Sequence, residues 1–404
     1  MSTARGSHVS NLRGAARLAI DATAGLTGIV EAIHTNIARM PTKLGGPIVG
    51  GAVNGVTGLV YTSIRGVTRA VGGSLDLVLR AVPPALDAAE STPARERMVA
   101  VLNGVLGDYL AETDNPLAIT MRVRHGGKPL SLSREELATA IPNTSAKLLV
   151  LVHGLCMNDL QWTRDGHDHG AALATDLGYT SVYLRYNTGL HVSTNGRAFA
   201  DVLEALVAAW PVPLEELTIV AHSMGGLVTR SAHLVATAAG HRWPKGLRKI
   251  VFLGTPHHGA PLERGGHWID TVVGKTPFIE PLTRLGRIRS AGITDLRHGS
   301  VHDEDWHGND RFAHGKDPRR PMPLPKDVRC YAIAATIGSA EALLRDRVLG
   351  DGLVPVPSAL GQHGDSRFTL VFPASHQWVA AETSHFDLLS RAEVYGRIRN
   401  WLAA

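Results

Sequence analysis

Ser223 is the residue around which chemistry could be built. It lies in Ala221-His-Ser-Met-Gly-Gly226, between a strand-like run, Leu217 to Ala221, and a helix-like run, Leu227 to Ala239. A serine hydroxyl attacks a carbonyl only when its oxygen is held clear of the backbone. A sharp strand-to-helix turn does this with strained dihedrals that need small neighbours. Ala221 and Gly225 are those neighbours, and alanine where the usual spelling has a first glycine adds only one methyl. The following helix points its N-terminus at the serine, so Met224 N–H and the positive end of the helix dipole face any negative charge that develops there.

A serine nucleophile needs a base, a group to orient that base, and donors for the oxyanion. Chain order Ser, acid, His is available. Asp351 lies in Gly350-Asp-Gly-Leu-Val-Pro355, a glycine-flanked turn after a strand, and His385 lies in Ser384-His-Phe-Asp-Leu-Leu389, a loop leading into the last helix. His376 is the rival base among 20 histidines, but His385 precedes a helix start and is better placed for a loop imidazole. Asp346 and Asp365 compete as the acid and lack the small-residue turn of Asp351.

The second oxyanion donor belongs in the loop after an early strand. Val152-His-Gly-Leu-Cys156 follows the apolar run Leu148 to Val152, so Leu155 N–H is expected to pair with Met224 N–H around the carbonyl oxygen. Cys156 N–H is the second choice. His153, Gly154 and His222 flank these donors and are the substrate-binding candidates, with His153 read as an orienting group rather than a base.

Such residues need a scaffold. From about residue 121 to 404 strands alternate with helices, as in a mainly parallel sheet covered on both faces. Expected strands are Ala118–Val123, Lys147–His153, Thr180–Tyr186, Leu217–Ala221, Lys249–Leu253, Val328–Ala334 and Phe368–Phe372, with helices over Arg197–Trp210 and Leu227–Ala239. Residues 257–326 break the rhythm with Gly, Pro, His and Asp and read as a lid-like insertion over the strand ends.

Residues 1–120 have another texture, rich in Ala, Gly, Val and Leu at helical spacing. An uncharged run from Leu44 to Ile64 is long enough to span a bilayer, but Pro47, Asn54 and six glycines make it a poor spanning helix. A helical hairpin packed on the catalytic core is the expectation, with peripheral membrane or lipid-surface contact as the alternative.

With 404 residues, 44% hydrophobic and 19% charged, the chain is long enough for a large core plus an appendage. Net charge is +5, but the basic residues are scattered without interleaved aromatics, which argues against nucleic-acid binding. Two cysteines, Cys156 and Cys330, exclude a disulfide framework, although one bridge between them stays open. The first residues lack a signal-peptide layout, so the expected location is cytoplasmic, with membrane association as an option. Residues 298–314 gather four histidines with Asp303, Glu304, Asp305 and Asp310 at a spacing that matches no metal motif, and a solvated loop is preferred to a metal site.

Six segments together carry a resemblance. They are Val152-His-Gly-Leu155, Arg185-Tyr-Asn-Thr-Gly189, Ala221-His-Ser-Met-Gly-Gly226, Phe252-Leu-Gly-Thr-Pro-His-His-Gly259, Gly350-Asp-Gly-Leu-Val354 and Ser384-His-Phe-Asp-Leu-Leu389. The chain from about 145 to 400 resembles the α/β-hydrolase superfamily, in its bacterial lipase/esterase-like members and the PGAP1-like branch. The resemblance implies an α/β-hydrolase fold and a serine carboxylic ester hydrolase with Ser223, Asp351 and His385 as triad, no cofactor, and a lid after Gly259. A hydrophobic acyl ester is the expected small-molecule substrate. Acyl transfer or amide hydrolysis by the same residues, on a lipid-like substrate, is the alternative; a non-catalytic lipid- or protein-binding module is the reading from another class.

Overall fold

Five apolar runs form the centre of the sheet because each is buried on both faces. In the computed structural model they are β3 (Lys147–Val152), β4 (Thr180–Arg185), β5 (Glu216–His222), β6 (Leu247–Leu253) and β7 (Arg329–Ala335). The structure describes residues 93–115, 117–260, 290–308, 317, 319–339 and 350–404. The run Leu44 to Ile64, the rest of the expected N-terminal helical region before residue 93, and much of the expected lid lie outside them.

The sheet has the order β2-β1-β4-β3-β5-β6-β7-β8. Its edge hairpin, β1 (Arg122–His125) and β2 (Lys128–Pro129), is antiparallel, and β1 runs antiparallel to β4. From β4 to β8 (Gln377–Ala380) every pairing is parallel. Val152 pairs with Leu184 and Ala221, and His222 with Leu253, so these strands end along one edge. Loops that leave that edge come close together, and the site is built there.

Helices cover the sheet. Leu149, Leu151, Val220, Val251, Leu253 and Ile333 form one cluster with Leu173 of α2 (His169–Leu177) and with Val394, Ile398 and Leu402 of α5 (Ala392–Ala403). Strand alternation turns Leu148, Val150, Ile219 and Ile250 to the other face, which is left for α3 (Val192–Ala209) and α4 (Met224–Ala239), two helices that pack on each other. An earlier helix, α1 (Pro93–Glu112), falls within the segment set apart from the core by its sequence texture. It is nevertheless tied to that core. Asn187 Nδ2 donates to Gly107 O at 2.9 Å, Ser290 Oγ donates to Gly104 O at 2.6 Å, and Glu96 pairs with both Arg124 and Arg185.

Two expected strands differ from the structure. Ala118–Val123 is only the lead-in to β1, which starts at Arg122. Phe368–Phe372 is not a strand. Its Leu370 N–H donates to Gly361 O at 2.8 Å to close a loop, its Leu370 and Phe372 side chains are buried, and Pro373 follows without an N–H to continue a ladder. The last strand is Gln377–Ala380 instead.

Candidate active site

Ser223 occupies the turn between β5 and α4 with φ 54° and ψ −126°. That conformation is strained for a residue with a side chain and persists only where the surroundings impose it. Here Ser223 N–H donates to Leu253 O at 2.8 Å, and Ser223 O accepts from Gly226 N at 3.0 Å. Gly225 is required by close approach, since a Cβ there would lie 2.5 Å from Val152 O and 2.6 Å from His153 O. The start of α4 therefore lies directly on the loop after β3. Met224 is the first residue of α4, a position whose amide has no intrahelical acceptor.

His385 and Asp351 meet although they come from different loops. Their separation is 2.6 Å between His385 Nδ1 and Asp351 Oδ2, and both side chains are buried. Asp351 Oδ1 in turn accepts from Leu353 N at 3.0 Å and Val354 N at 2.8 Å. With every contact of the carboxylate specified, the imidazole is held as the tautomer protonated on Nδ1, which leaves Nε2 as the acceptor. His385 and Ser223 line one cavity with Leu155, Met157, Leu296 and Phe386 among its walls. Among the described residues no hydrogen bond links Ser223 Oγ to His385, the looser arrangement common before substrate binds.

Beside Ser223 runs the loop after β3. A Cβ on Gly154 would come within 2.9 Å of Ser223 Cβ, so only glycine lets the loop pass the serine this closely. Leu155 lines the cavity. Cys156 N–H donates to Thr188 Oγ1 at 3.1 Å, so it is already engaged, which leaves Leu155 N–H as this loop's candidate donor.

Residues 148–319 match the family model of the PGAP1-like alpha/beta domain. The matched segment is less than half of the chain. The eight-stranded sheet that contains it has the α/β-hydrolase architecture. The matched segment includes Ser223 and Leu155 and ends before Asp351 and His385. No curated protein sequence matches the chain significantly. Among solved structures, the mature lipase BlEst2 of Bacillus licheniformis is similar at 17% identity and TM-score 0.42, over 70% of this chain and 97% of that one. Lipase B of Aspergillus fumigatus is similar at 12% identity and TM-score 0.41, over 68% of this chain and 58% of that one. The esterase PF2001 of Pyrococcus furiosus is similar at 14% identity and TM-score 0.33, over 65% and 82%. Likeness of this degree says nothing about substrate.

The three substrate-binding candidates are placed differently from one another. His222 lines the cavity, fully buried, with Nε2 3.1 Å from His385 O; burial pushes its pKa well below the ordinary histidine range, so it is a neutral support under the His385 loop. His153 is not among the cavity walls. It is fully buried, its ring stacks on Tyr186 with centroids 4.4 Å apart, and burial lowers its pKa to about 3. Gly154 supplies clearance for Ser223 rather than a contact surface.

The rivals fall elsewhere. His376 Nδ1 lies 3.1 Å from Cys330 O, at the other end of β8, and Asp365 is bound by Arg367. Asp346 lies outside the described residues. Both cysteines are free and buried, and burial pushes each thiol up to about 12, so the open option of a Cys156–Cys330 bridge is not realised and neither is a nucleophile. In the His/Asp-rich segment, Asp305 Oδ2 accepts from Val301 N and His302 N, Asp303 pairs with Arg197, and Glu304 with Arg320. No group of three or more His, Cys, Asp or Glu among the described residues could hold a metal ion; Asp310 and His314 lie outside them. Sequence reasoning left Tyr186 and Thr188 without roles, although their position directly after a strand, at the sheet edge that carries the site, was the available signal. No described helix is long and apolar enough to cross a membrane.

Proposed function

We propose that the protein is a serine carboxylic ester hydrolase acting on esters with a hydrophobic acyl group. Ser223 is the nucleophile, His385 the base, and Asp351 the group that orients and stabilises the imidazolium as it forms. Ser223 Oγ gives its proton to His385 Nε2 as it bonds to the ester carbon. The carbonyl oxygen gains negative charge and is met by Leu155 N–H and Met224 N–H, donors worth on the order of 3 kcal/mol each in the transition state. His385 then returns the proton to the leaving alcohol. Water, deprotonated by His385, attacks the acyl-enzyme and releases the acid. Each of these steps is proton transfer or addition and elimination at a carbonyl, so the residues named supply the chemistry without a cofactor.

One observation carries this reading: a serine in a strained strand-to-helix turn shares its cavity with a histidine whose far nitrogen is held by a buried carboxylate. The apolar walls favour a hydrophobic acyl group over a charged one. The test is hydrolysis of p-nitrophenyl esters from acetyl to palmitoyl by wild type and Ser223→Ala, with a fluorophosphonate probe in parallel. Turnover and labelling that both vanish in Ser223→Ala are expected. Turnover that survives the substitution, or a wild type inert to both reagents, overturns the proposal.

A further inference from the structure

The loop that would present Leu155 N–H does not hold its shape by itself. Met157 N–H donates to Gly154 O at 3.3 Å, closing a four-residue turn in which Cys156 is the third residue. Its φ is 59°, in the left-handed region. Such a turn is type II, and that position ordinarily takes glycine or asparagine. A side chain there costs free energy that a type I turn, with the central peptide rotated, would not. Something outside the turn must select the unfavoured form.

The segment after β4 provides it. Tyr186 Oη donates to His153 O at 2.8 Å just before the turn, and Thr188 Oγ1 accepts from Cys156 N at 3.1 Å within it. Both side chains are buried, Tyr186 at 0% and Thr188 at 1% exposure, so each bond is made without competition from water. Rotating the central peptide to the type I form would swing Cys156 N–H away from Thr188 and leave a buried donor unpaired. Tyr186 also stacks on His153, so the peptides on either side of Gly154-Leu155 are both anchored to one segment.

That segment is anchored in its own right. Asn187 Oδ1 accepts from Gly189 N at 3.0 Å, and Asn195 Nδ2 of α3 donates to Asn187 O at 2.9 Å. It is thus a rigid bracket rather than a second mobile loop.

We infer that Tyr186 and Thr188 are positioning residues that anchor the peptides on either side of Gly154–Leu155, Tyr186 through His153 O and Thr188 through Cys156 N–H, and thereby aim Leu155 N–H, which lies on the peptide between them, at the oxyanion. The inference rests on the serine hydrolase reading above. Neither side chain touches substrate; each acts through the loop.

The test compares Thr188→Val, which keeps the shape and removes the acceptor, with Thr188→Ser, which keeps the acceptor, and adds Tyr186→Phe. The readouts are kcat and KM on the p-nitrophenyl ester that wild type turns over fastest, and the inhibition constant of phenylboronic acid, whose adduct with Ser223 places an anionic oxygen where the donors point. A misaimed donor is expected to lower kcat of Thr188→Val about 10- to 100-fold with KM within about twofold, to weaken phenylboronic acid in parallel, and to be restored by Thr188→Ser. Tyr186→Phe is expected to move in the same direction and carries the test if Thr188→Val does not fold. Overturning results are kcat of Thr188→Val within about threefold of wild type, an equal loss in Thr188→Ser, or a kcat loss with boronate affinity unchanged. Each is read in an enzyme whose wild-type turnover depends on Ser223, so they count against the inference alone; loss of that dependence removes the hydrolase reading and this inference with it.

Discussion

His385 is held by Asp351 twice: its ring Nδ1 lies 2.6 Å from Asp351 Oδ2, and its backbone N–H donates to Asp351 O at 3.1 Å. The second bond fixes the loop and the first fixes the ring, so orientation and tautomer are set by one residue. Asp351→Asn should keep the backbone bond and reverse the ring's tautomer, because an amide NH₂ presented to Nδ1 requires that nitrogen as an acceptor. Turnover is expected to fall on the order of 10³- to 10⁴-fold with little change in thermal stability. Steady-state kinetics and a melting curve on the same preparation check both halves.

Ser223 offers a way to separate strain from chemistry. Its φ of 54° disfavours any side chain, so Ser223→Gly and Ser223→Ala should be equally inactive and unequally stable. Glycine relieves the strain and is expected to give the more stable variant by about 1 kcal/mol in urea unfolding. Equal stabilities would mean that the turn costs the fold nothing.

The ion cluster beneath α1 is expected to matter for stability. Glu96 faces Arg124 and Arg185, and Arg124 Nη1 lies 2.9 Å from Asp159 Oδ1; all four side chains are largely buried. Glu96→Gln leaves two guanidinium groups to share one carboxylate away from water. The expected cost is about 3 kcal/mol, read as a lowered urea midpoint. A double variant, Glu96→Gln with Arg185→Gln, should recover part of the loss.

Acid should unfold the protein earlier than its carboxylates alone would dictate. Burial lowers His153 to about 3 and His169 to about 4, and pushes His222 and His257 well below the ordinary range. The unfolded chain, with histidine near pKa ~6.5, therefore binds more protons than the native one between that value and about 3 to 4. Stability is held above about pH 6.5 and lost as pH falls through the window, at on the order of 1.4 kcal/mol per pH unit for each such histidine. Urea midpoints across that range check the slope, and a flat profile down to about pH 5 would contradict the burial of these rings.

The parts legible in the sequence were those whose physics is local. The turn at Ser223, the strands from Lys147 to Ala335 and the glycine-flanked Asp351 each announce themselves by small residues or apolar runs. Phe368–Phe372 misled because burial, not pairing, makes its residues apolar, and periodicity alone does not distinguish a buried loop from a strand. Roles such as those of Tyr186 and Thr188 depend on which segments the sheet order brings together: β4 lies beside β3 although α2 separates them in the chain. No spacing within either segment encodes that adjacency.

The order in which the site's parts occur along the chain has a temporal consequence. The Leu155 loop and Ser223 are made first, Asp351 and His385 more than a hundred residues later, and α5, which shares a core cluster with β3, β5, β6 and β7, follows them. During synthesis Ser223 therefore exists for more than a hundred residues of elongation before the His385 that the proposed mechanism sets beside it. On that mechanism reactivity waits until His385 has been made and α5 has docked, so a chain without them carries an inert serine through the period when it is least able to govern what reaches it.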